Sequence, residues 1–233
     1  LKNKPESIII VGSGAIGVEF AYFYNAIGTK VTIIEYQSNI VPNEDKDVSK
    51  ELHKIFKKNG IEILTETAVE KAYVKDNSVH VETSTKGKKE ILTATKVLSA
   101  VGIVANIENI GLEALKITTD NGKIAVNEYY ETNLTNHFAI GDVVSGPALA
   151  HVASAEGIIC VEKIAGHKPE PLNYDNIPGC TYCYPEIASV GMTETKAIQN
   201  GYEIKVGKFP FSASGKASAA GKKEGFVKMI YDV

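Results

Sequence analysis

The sequence predicts an α/β fold with a parallel, doubly wound sheet, and three observations carry this. Residues 7–11 form an apolar run (Ser7, Ile8, Ile9, Ile10, Val11) suited to a buried parallel strand. A tight glycine turn follows at Gly12, Ser13, Gly14, Ala15, Ile16 and Gly17. A second apolar run, Val31 to Ile34, ends in an acid, Glu35.

The elements follow in order. Residues 15–27 place Ile16, Phe20, Phe23 and Ile27 near helical spacing, and Gly28 stops that helix. Residues 30–35 form the second strand, and Pro42 and Asn43 interrupt the pattern. Residues 47–58 predict a second helix, with Val48, Leu52, Ile55 and Phe56 on one stripe and Asn59 and Gly60 as the stop. Residues 61–64 read as the third strand. This β–α–β–α–β order favours a parallel sheet.

Residues 68–75, 78–84 and 90–93 read instead as a small antiparallel excursion, joined by polar turns at 75–77 and 86–88. Residues 96–101 return to strand and end at Gly102. Residues 103–122 are loop-rich, and residues 123–126 and 137–140 predict short strands. A helix is expected over 149–164, stopped by Gly166 to Pro171. Further strands are expected near 186–190, 202–208 and 225–231, after a domain boundary near 170–176.

The opening turn has the makings of a dinucleotide site. Gly12 permits the tight turn, Gly14 lets a pyrophosphate approach the backbone, and Gly17 lets the helix pack against the sheet. Free amides at the helix start favour an anion. Glu35 follows Gly14 by 21 residues, the expected place for a carboxylate that bonds a ribose 2′-hydroxyl and disfavours a 2′-phosphate. NAD is therefore expected rather than NADP. A second acid, Asp142, follows Phe138, Ala139, Ile140 and Gly141 at a strand end, and Gly146 to His151 then open a helix. That arrangement suits a ribitol hydroxyl and a phosphate.

The bulk properties exclude several classes. A formal net charge of -3 over 233 residues gives no support to nucleic-acid binding. No apolar run reaches the ~20 residues of a membrane helix. The three cysteines, Cys160, Cys180 and Cys183, are an odd count that argues against a disulfide framework. Cys180 and Cys183 have redox-motif spacing but lie in an extended setting, so they are expected to be ordinary thiols. No metal site is expected: His53, His80, His137 and His167 are isolated. The Lys86, Lys88 and Lys89 run reads as a solvated turn, and Tyr129 and Tyr130 as strand-region aromatics.

The segments "IIIVGSGAIGVEFAYFYNAIGTKVTIIE", "VLSAVGIVANIENIGLE", "HFAIGDVVSGPALAHVASAEG", "YPEIASVGMTETKA" and "GKASAAGKKEGFVKMIYD" resemble the flavin-dependent pyridine nucleotide–disulfide oxidoreductases in order and spacing. The resemblance implies a Rossmann-like, three-layer NAD-binding domain over 1–102. It also implies a returning part of an FAD-binding domain over 103–170 and the start of an α+β dimerisation domain over 171–233. It places Gly12, Gly14, Ala15, Ile16, Gly17, Glu19, Glu35, Val69 and Gly102 near NAD, with Glu19 by the nicotinamide ribose. It places Gly141, Asp142, Ala148, Leu149, Ala150 and His151 near FAD, with His151 as a flavin neighbour rather than a base. Ile103 stands where many relatives have arginine, which argues against NADP-preferring branches.

Such enzymes pass electrons from a dithiol through a CxxxxC disulfide and FAD to NAD+. Dihydrolipoamide is the expected substrate. A homodimer and the lipoyl domains of 2-oxoacid dehydrogenase or glycine cleavage complexes are the expected partners, in the cytoplasm or a mitochondrial matrix. The CxxxxC pair and the family's His–Glu pair are both missing here, so this chain is expected to hold no catalytic residue and to be inactive alone. The glycine motif begins seven residues in, which reads as an internal piece without its first flavin segment. Another reductase of the same fold and a non-catalytic nucleotide-binding module remain the alternatives.

Overall fold

A computed structural model describes residues 1–233, which divide into two compact units: residues 1–102 with 178–233, and residues 103–177. In the first unit, β1 (Ser7–Val11), α1 (Ala15–Ala26), β2 (Lys30–Ile34), α2 (Lys46–Lys58) and β3 (Glu62–Leu64) alternate as the sequence predicts. An antiparallel sheet of β4 (Thr67–Lys75), β5 (Ser78–Thr85) and β6 (Lys88–Ala94) follows, and β7 (Lys96–Ser99) returns to the parallel sheet. That sheet has the order β3-β2-β1-β7, with Ile9 opposite Thr32 and Val97. β1 is central, so both its edges are paired, and a core cluster covers each face. Its Ile8 and Ile10 join one core cluster with Val18, Val31, Ile33, Leu52 and Phe56. Ile9 joins a second, with Ile34, Val81 and Ala94, on which the antiparallel excursion sits. Alternating faces of one strand thus hold two cores.

α2 forms because its ends and face agree. Asp45 caps it by accepting from the Asp47 amide, and Lys57 and Lys58 lie in the last turn. Leu52, Ile55 and Phe56 are buried, each contributing roughly 1.5–3 kcal/mol. The hairpin turns place Asp76 and Asn77, and then Lys86 and Gly87, at positive φ, the backbone of tight strand connections.

α1 forms where its spacing places it, but its large apolar residues are not its buried face. Its buried face is Gly17, Val18 and Ala21. The Ile16, Phe20, Phe23 and Ile27 stripe is 42–52% exposed. The small residues face the sheet because α1 packs too closely for large ones, so the apolar stripe points away.

The rest of the first unit comprises β10 (Gly179–Thr181), β11 (Ile187–Ser189), α5 (Glu194–Gln199), β12 (Ile204–Pro210), α6 (Gly215–Ala219) and β13 (Phe226–Asp232), numbered after the elements of the second unit. β10 pairs with β11 and β12 with β13, both antiparallel. Cys183 and Ile187 join the first core cluster. Cys180 lies in β10, exposed, while Cys183 is buried and donates to the Pro185 carbonyl at 3.1 Å. Burial pushes the Cys183 thiol up to about 12. Brief iodoacetamide treatment of the native chain is expected to alkylate Cys180 alone, with Cys160 and Cys183 labelled only after denaturation. Native labelling of Cys183, read by mass spectrometry, would contradict this burial.

The second unit holds α3 (Leu112–Leu115), β8 (Thr119–Asp120), β9 (Lys123–Ile124) and α4 (Ala150–Ile164). The sequence predicts only loop where α3 and β8 lie. The strand expected at 123–126 is only β9, and that at 137–140 reduces to a single Glu131–Phe138 bridge before a 3₁₀ turn at Gly141–Val143. Local apolar runs marked these segments, but no long neighbour offers them a ladder. Tyr130 is a buried turn residue with φ 70, not a strand aromatic.

Candidate functional site: a nucleotide cradle and a second acid loop

The three glycines of the first turn have three different causes. Gly12 has φ +96, and a Cβ there would strike the Ala100 carbonyl oxygen. At Gly17 a Cβ would strike the Gly12 carbonyl oxygen, so its absence lets α1 start against the turn. Gly14 has no such reason. Its backbone is extended (φ -64, ψ -176), and a Cβ there would meet nothing within 4 Å. The open space lies at the start of α1, where no side chain caps the helix and no acid sits in the first turn. Helix amides and dipole therefore face an open cradle that suits a phosphate.

Glu35 stands beside this cradle, 7% exposed. Its Oε2 accepts from the Ser13 amide at 2.9 Å and from the Ser13 hydroxyl at 2.5 Å, and its Oε1 accepts from the Gln37 amide at 2.8 Å. The carboxylate thus braces the glycine turn from the end of β2. Oε2 is filled by its two donors, and Oε1 keeps a further lone pair for a ribose hydroxyl. Ala100 donates to the Val11 carbonyl at 2.7 Å, which brings Ala100 and Val101 alongside Gly12, and Gly102 follows at φ +137. Gly14, Ala15 and Ile16 are exposed at the same turn. Val69 is half-buried against the second core cluster, at the β-bulge of β4. Glu19 lies in α1, where its Oε1 accepts from the Tyr182 amide at 2.7 Å.

In the second unit, Gly141 has φ +74 and opens the turn that exposes Asp142. Ala148 and Leu149 lead into α4, whose first turn holds Ala150 and His151 and has no side-chain cap. The loop is held from behind by Glu156, 1% exposed, whose Oε2 accepts from the Gly141 amide at 2.6 Å. Its Oε1 accepts from the Tyr174 hydroxyl at 2.6 Å. Burial and the neighbouring Glu156 carboxylate raise the Tyr174 phenol well above the usual tyrosine range. Sequence reasoning missed Glu156. The signal was its place on the Val152, Glu156, Cys160 stripe of α4, where an acid interrupts the buried face.

A second acidic cluster, also missed, is Asp45, Asp47 and Glu194, whose ligand atoms lie within 4.8 Å of one another. Its centre is held by the Lys228 ammonium, 2.7 Å from Asp45, 3.1 Å from Asp47 and 2.6 Å from Glu194. These carboxylates converge on an internal cation.

Residues 1–157 match the family described as pyridine nucleotide-disulphide oxidoreductase, and residues 177–233 match its dimerisation domain. The chain belongs to this family. Among curated members of the pyridine nucleotide-disulphide oxidoreductases, it is 48% identical over 231 residues to the dihydrolipoyl dehydrogenase of Rhizobium etli. That match covers 98% of this chain and 48% of the relative. It is 46% identical over 234 residues to the dihydrolipoyl dehydrogenase of Bacillus subtilis, covering 100% of this chain and 49% of the relative. Among solved structures, LpdA of Mycobacterium tuberculosis matches with TM-score 0.90 and 26% identity, covering 100% of this chain and 50% of that one. The HOCl-induced flavoprotein disulfide reductase RclA of Escherichia coli matches with TM-score 0.90 and 28% identity, covering 100% of this chain and 53% of that one. The chain spans about half the length of the curated relatives it matches. The parallel nucleotide-binding sheet and the separate dimerisation fold are thus those of the family. No helix is long and apolar enough to cross a membrane.

Proposed function

We propose that these residues form the NAD-binding, flavin-contacting and dimerising part of a dihydrolipoyl dehydrogenase. The carrying observation is Gly14, a glycine without an internal reason whose missing side chain leaves room at the uncapped start of α1. A pyrophosphate fits there in shape and charge. In this reading Gly12 and Gly17 shape the cradle, and Ala15 and Ile16 offer their amides. Glu35 bonds the adenine ribose, Glu19 lies by the nicotinamide ribose, and Val69 and Gly102 border the ligand. Asp142 takes a ribitol hydroxyl of FAD, and Gly141, Ala148, Leu149, Ala150 and His151 contact that cofactor. When bound, FAD supplies the two-electron relay and NAD+ takes up the hydride. The chain's own residues hold and orient both groups. In this reading the redox disulfide and the acid/base pair lie in the half of the relatives' length that these residues do not span.

The 48% and 46% identities to dihydrolipoyl dehydrogenases favour dihydrolipoamide over the substrates of other disulfide reductases. The domain division follows as 1–102, 103–170 and 171–233. Homodimerisation, docking of lipoyl domains and a cytoplasmic or mitochondrial-matrix setting belong to the same reading.

Grafting residues 1–233 in place of the matching segment of the Bacillus subtilis enzyme is expected to give a dihydrolipoamide-dependent NAD+ reductase. A folded, flavin-loaded chimera that leaves dihydrolipoamide unoxidised would sink the substrate assignment. The NAD site is tested on the chain itself. Glu35→Gln keeps the side chain's shape and removes its charge, and is expected to weaken NADH roughly tenfold, since a hydrogen bond to a charged group contributes about 1.5–3 kcal/mol. Its preference for NADH over NADPH should narrow. Equal NADH fluorescence titrations for both proteins would refute the ribose role.

A further inference from the structure

The flavin-side loop of the second unit has a brace whose chemistry exceeds what packing requires. Glu156 is 1% exposed, on a helix face otherwise filled by Val152 and Cys160. A buried carboxylate is costly unless its oxygens are satisfied. Here each oxygen accepts one short bond, from the Gly141 amide and from the Tyr174 hydroxyl, both at 2.6 Å. The Tyr174 hydroxyl also lies 3.2 Å from that of Tyr130. The Tyr174 ring closes over Gly146, where a Cβ would stand 2.8 Å from the ring. Gly141, at φ +74, packs on Ala153 of α4. One carboxylate therefore grips the start of the loop directly and, through Tyr174, reaches its glycine hinge before α4. Asp142 is exposed on this loop, and the first turn of α4 has no side-chain cap.

We propose that Glu156 is a positioning residue of the flavin site: it sets the shape of the 141–151 loop and places a fixed negative charge behind the Gly141 amide. This rests on the reading of Asp142 and the α4 start as FAD contacts. The shape effect acts on oxidised and reduced flavin alike. The charge effect does not, because a buried anion opposes the added electrons of a reduced, anionic flavin and so holds its potential down.

The experiment uses the apo form of the Bacillus subtilis graft that carries residues 1–233, titrated by calorimetry with FAD and, anaerobically, with dithionite-reduced FAD. Glu156→Gln, Glu156→Ala, Tyr174→Phe and Asp142→Ala are compared with the parent. Circular dichroism and NADH binding to the first unit confirm folding. Glu156→Ala should weaken both flavin forms at least tenfold. Glu156→Gln should shift the ratio of reduced to oxidised affinity about tenfold toward the reduced form, equivalent to about 30 mV for a two-electron couple. Tyr174→Phe should weaken both forms with the ratio unchanged. A folded Glu156→Gln protein with the parent's affinities and ratio overturns the positioning role while Asp142→Ala still loses flavin. If Asp142→Ala binds flavin normally, the flavin-site reading falls and this inference falls with it.

Discussion

Lys228→Met is expected to cost the first unit about 3 kcal/mol, because removing one partner of a buried ion cluster strands the others. The Lys228 side chain is 7% exposed, and its ammonium touches three carboxylates contributed by two segments far apart in sequence. Asp45 is simultaneously the cap of α2 and the acceptor of the Glu194 amide at 3.1 Å. The ammonium therefore pins α2 to both α5 and β13. Methionine fills much of the same volume but leaves three carboxylates facing one another. Asp47 and Glu194 are each 41% exposed, and water reaching them keeps the loss near the lower end for such clusters. Urea denaturation measures it. A loss below about 0.5 kcal/mol, the range of ordinary surface substitutions, would mean that solvent screens the cluster fully. Adding Asp45→Asn to the variant should recover part of the loss, since asparagine caps a helix equally well.

The pH dependence carries a sign that packing alone would not produce. Burial by itself would raise Asp45, but the Lys228 ammonium and two backbone amides hold its carboxyl below the ordinary 3.8. The bond from Lys228 does the same for Asp47, against burial. Burial would lower Lys228, yet its three acidic partners carry it above the ordinary 10.5. Depressed carboxyls contribute stability that is present above 3.8 and is lost as pH falls through their folded values. The raised lysine contributes stability that is present below 10.5 and is lost as pH rises through its folded value. The parent should hold a plateau between these limits. In Lys228→Met the clustered carboxyls repel and their folded values rise, so mild acid should stabilise the variant while it leaves the parent unchanged. Melting temperatures at neutral pH and near pH ~5 separate the two.

The sheet and its glycine turn were legible in the sequence because their causes are local. A continuous β-branched run, a glycine at positive φ and an acid one strand later lie within 29 residues of Ser7. The excursion hairpins were legible for the same reason, through Asp76–Asn77 and Lys86–Gly87. What periodicity withheld was orientation. It found the Ile16, Phe20, Phe23 and Ile27 stripe of α1, but the close approach permitted by Gly17 turns the small residues inward instead. Buried charges were withheld as well, because their partners are distant. Lys228 meets Asp45 across 183 positions, and Glu156 meets Gly141 across 15. A lone lysine in β13 or a lone glutamate in α4 reads as solvated until the fold supplies the other half.

Gly14→Ala and Gly17→Ala, placed three residues apart, are expected to fail in opposite ways. Inside α1, where Gly17 lies, alanine is the better helix former by about 1 kcal/mol, whereas at the N-cap, which Gly14 occupies, glycine is preferred, so propensity alone favours Gly17→Ala and opposes Gly14→Ala. At Gly17 the new methyl meets the Gly12 carbonyl oxygen, which is backbone and fixed by the Gly12 amide's 2.8 Å bond to Ile34. Relieving that overlap moves α1 off the sheet, at a net cost of about 1–3 kcal/mol, and opens the turn. Stability and NADH binding should then fall together. At Gly14 the backbone suits any residue and the methyl meets nothing, so stability should fall by only about 0.5–1 kcal/mol, the preference for glycine over alanine at a helix N-cap. NADH affinity should nonetheless drop at least tenfold, because the methyl occupies the cradle that the first amides of α1 face. Gly14→Val should deepen that loss with stability close to that of Gly14→Ala. If Gly14→Ala binds NADH like the parent, the space beside it is not where the pyrophosphate lies, and the glycine turn loses its role as the nucleotide site.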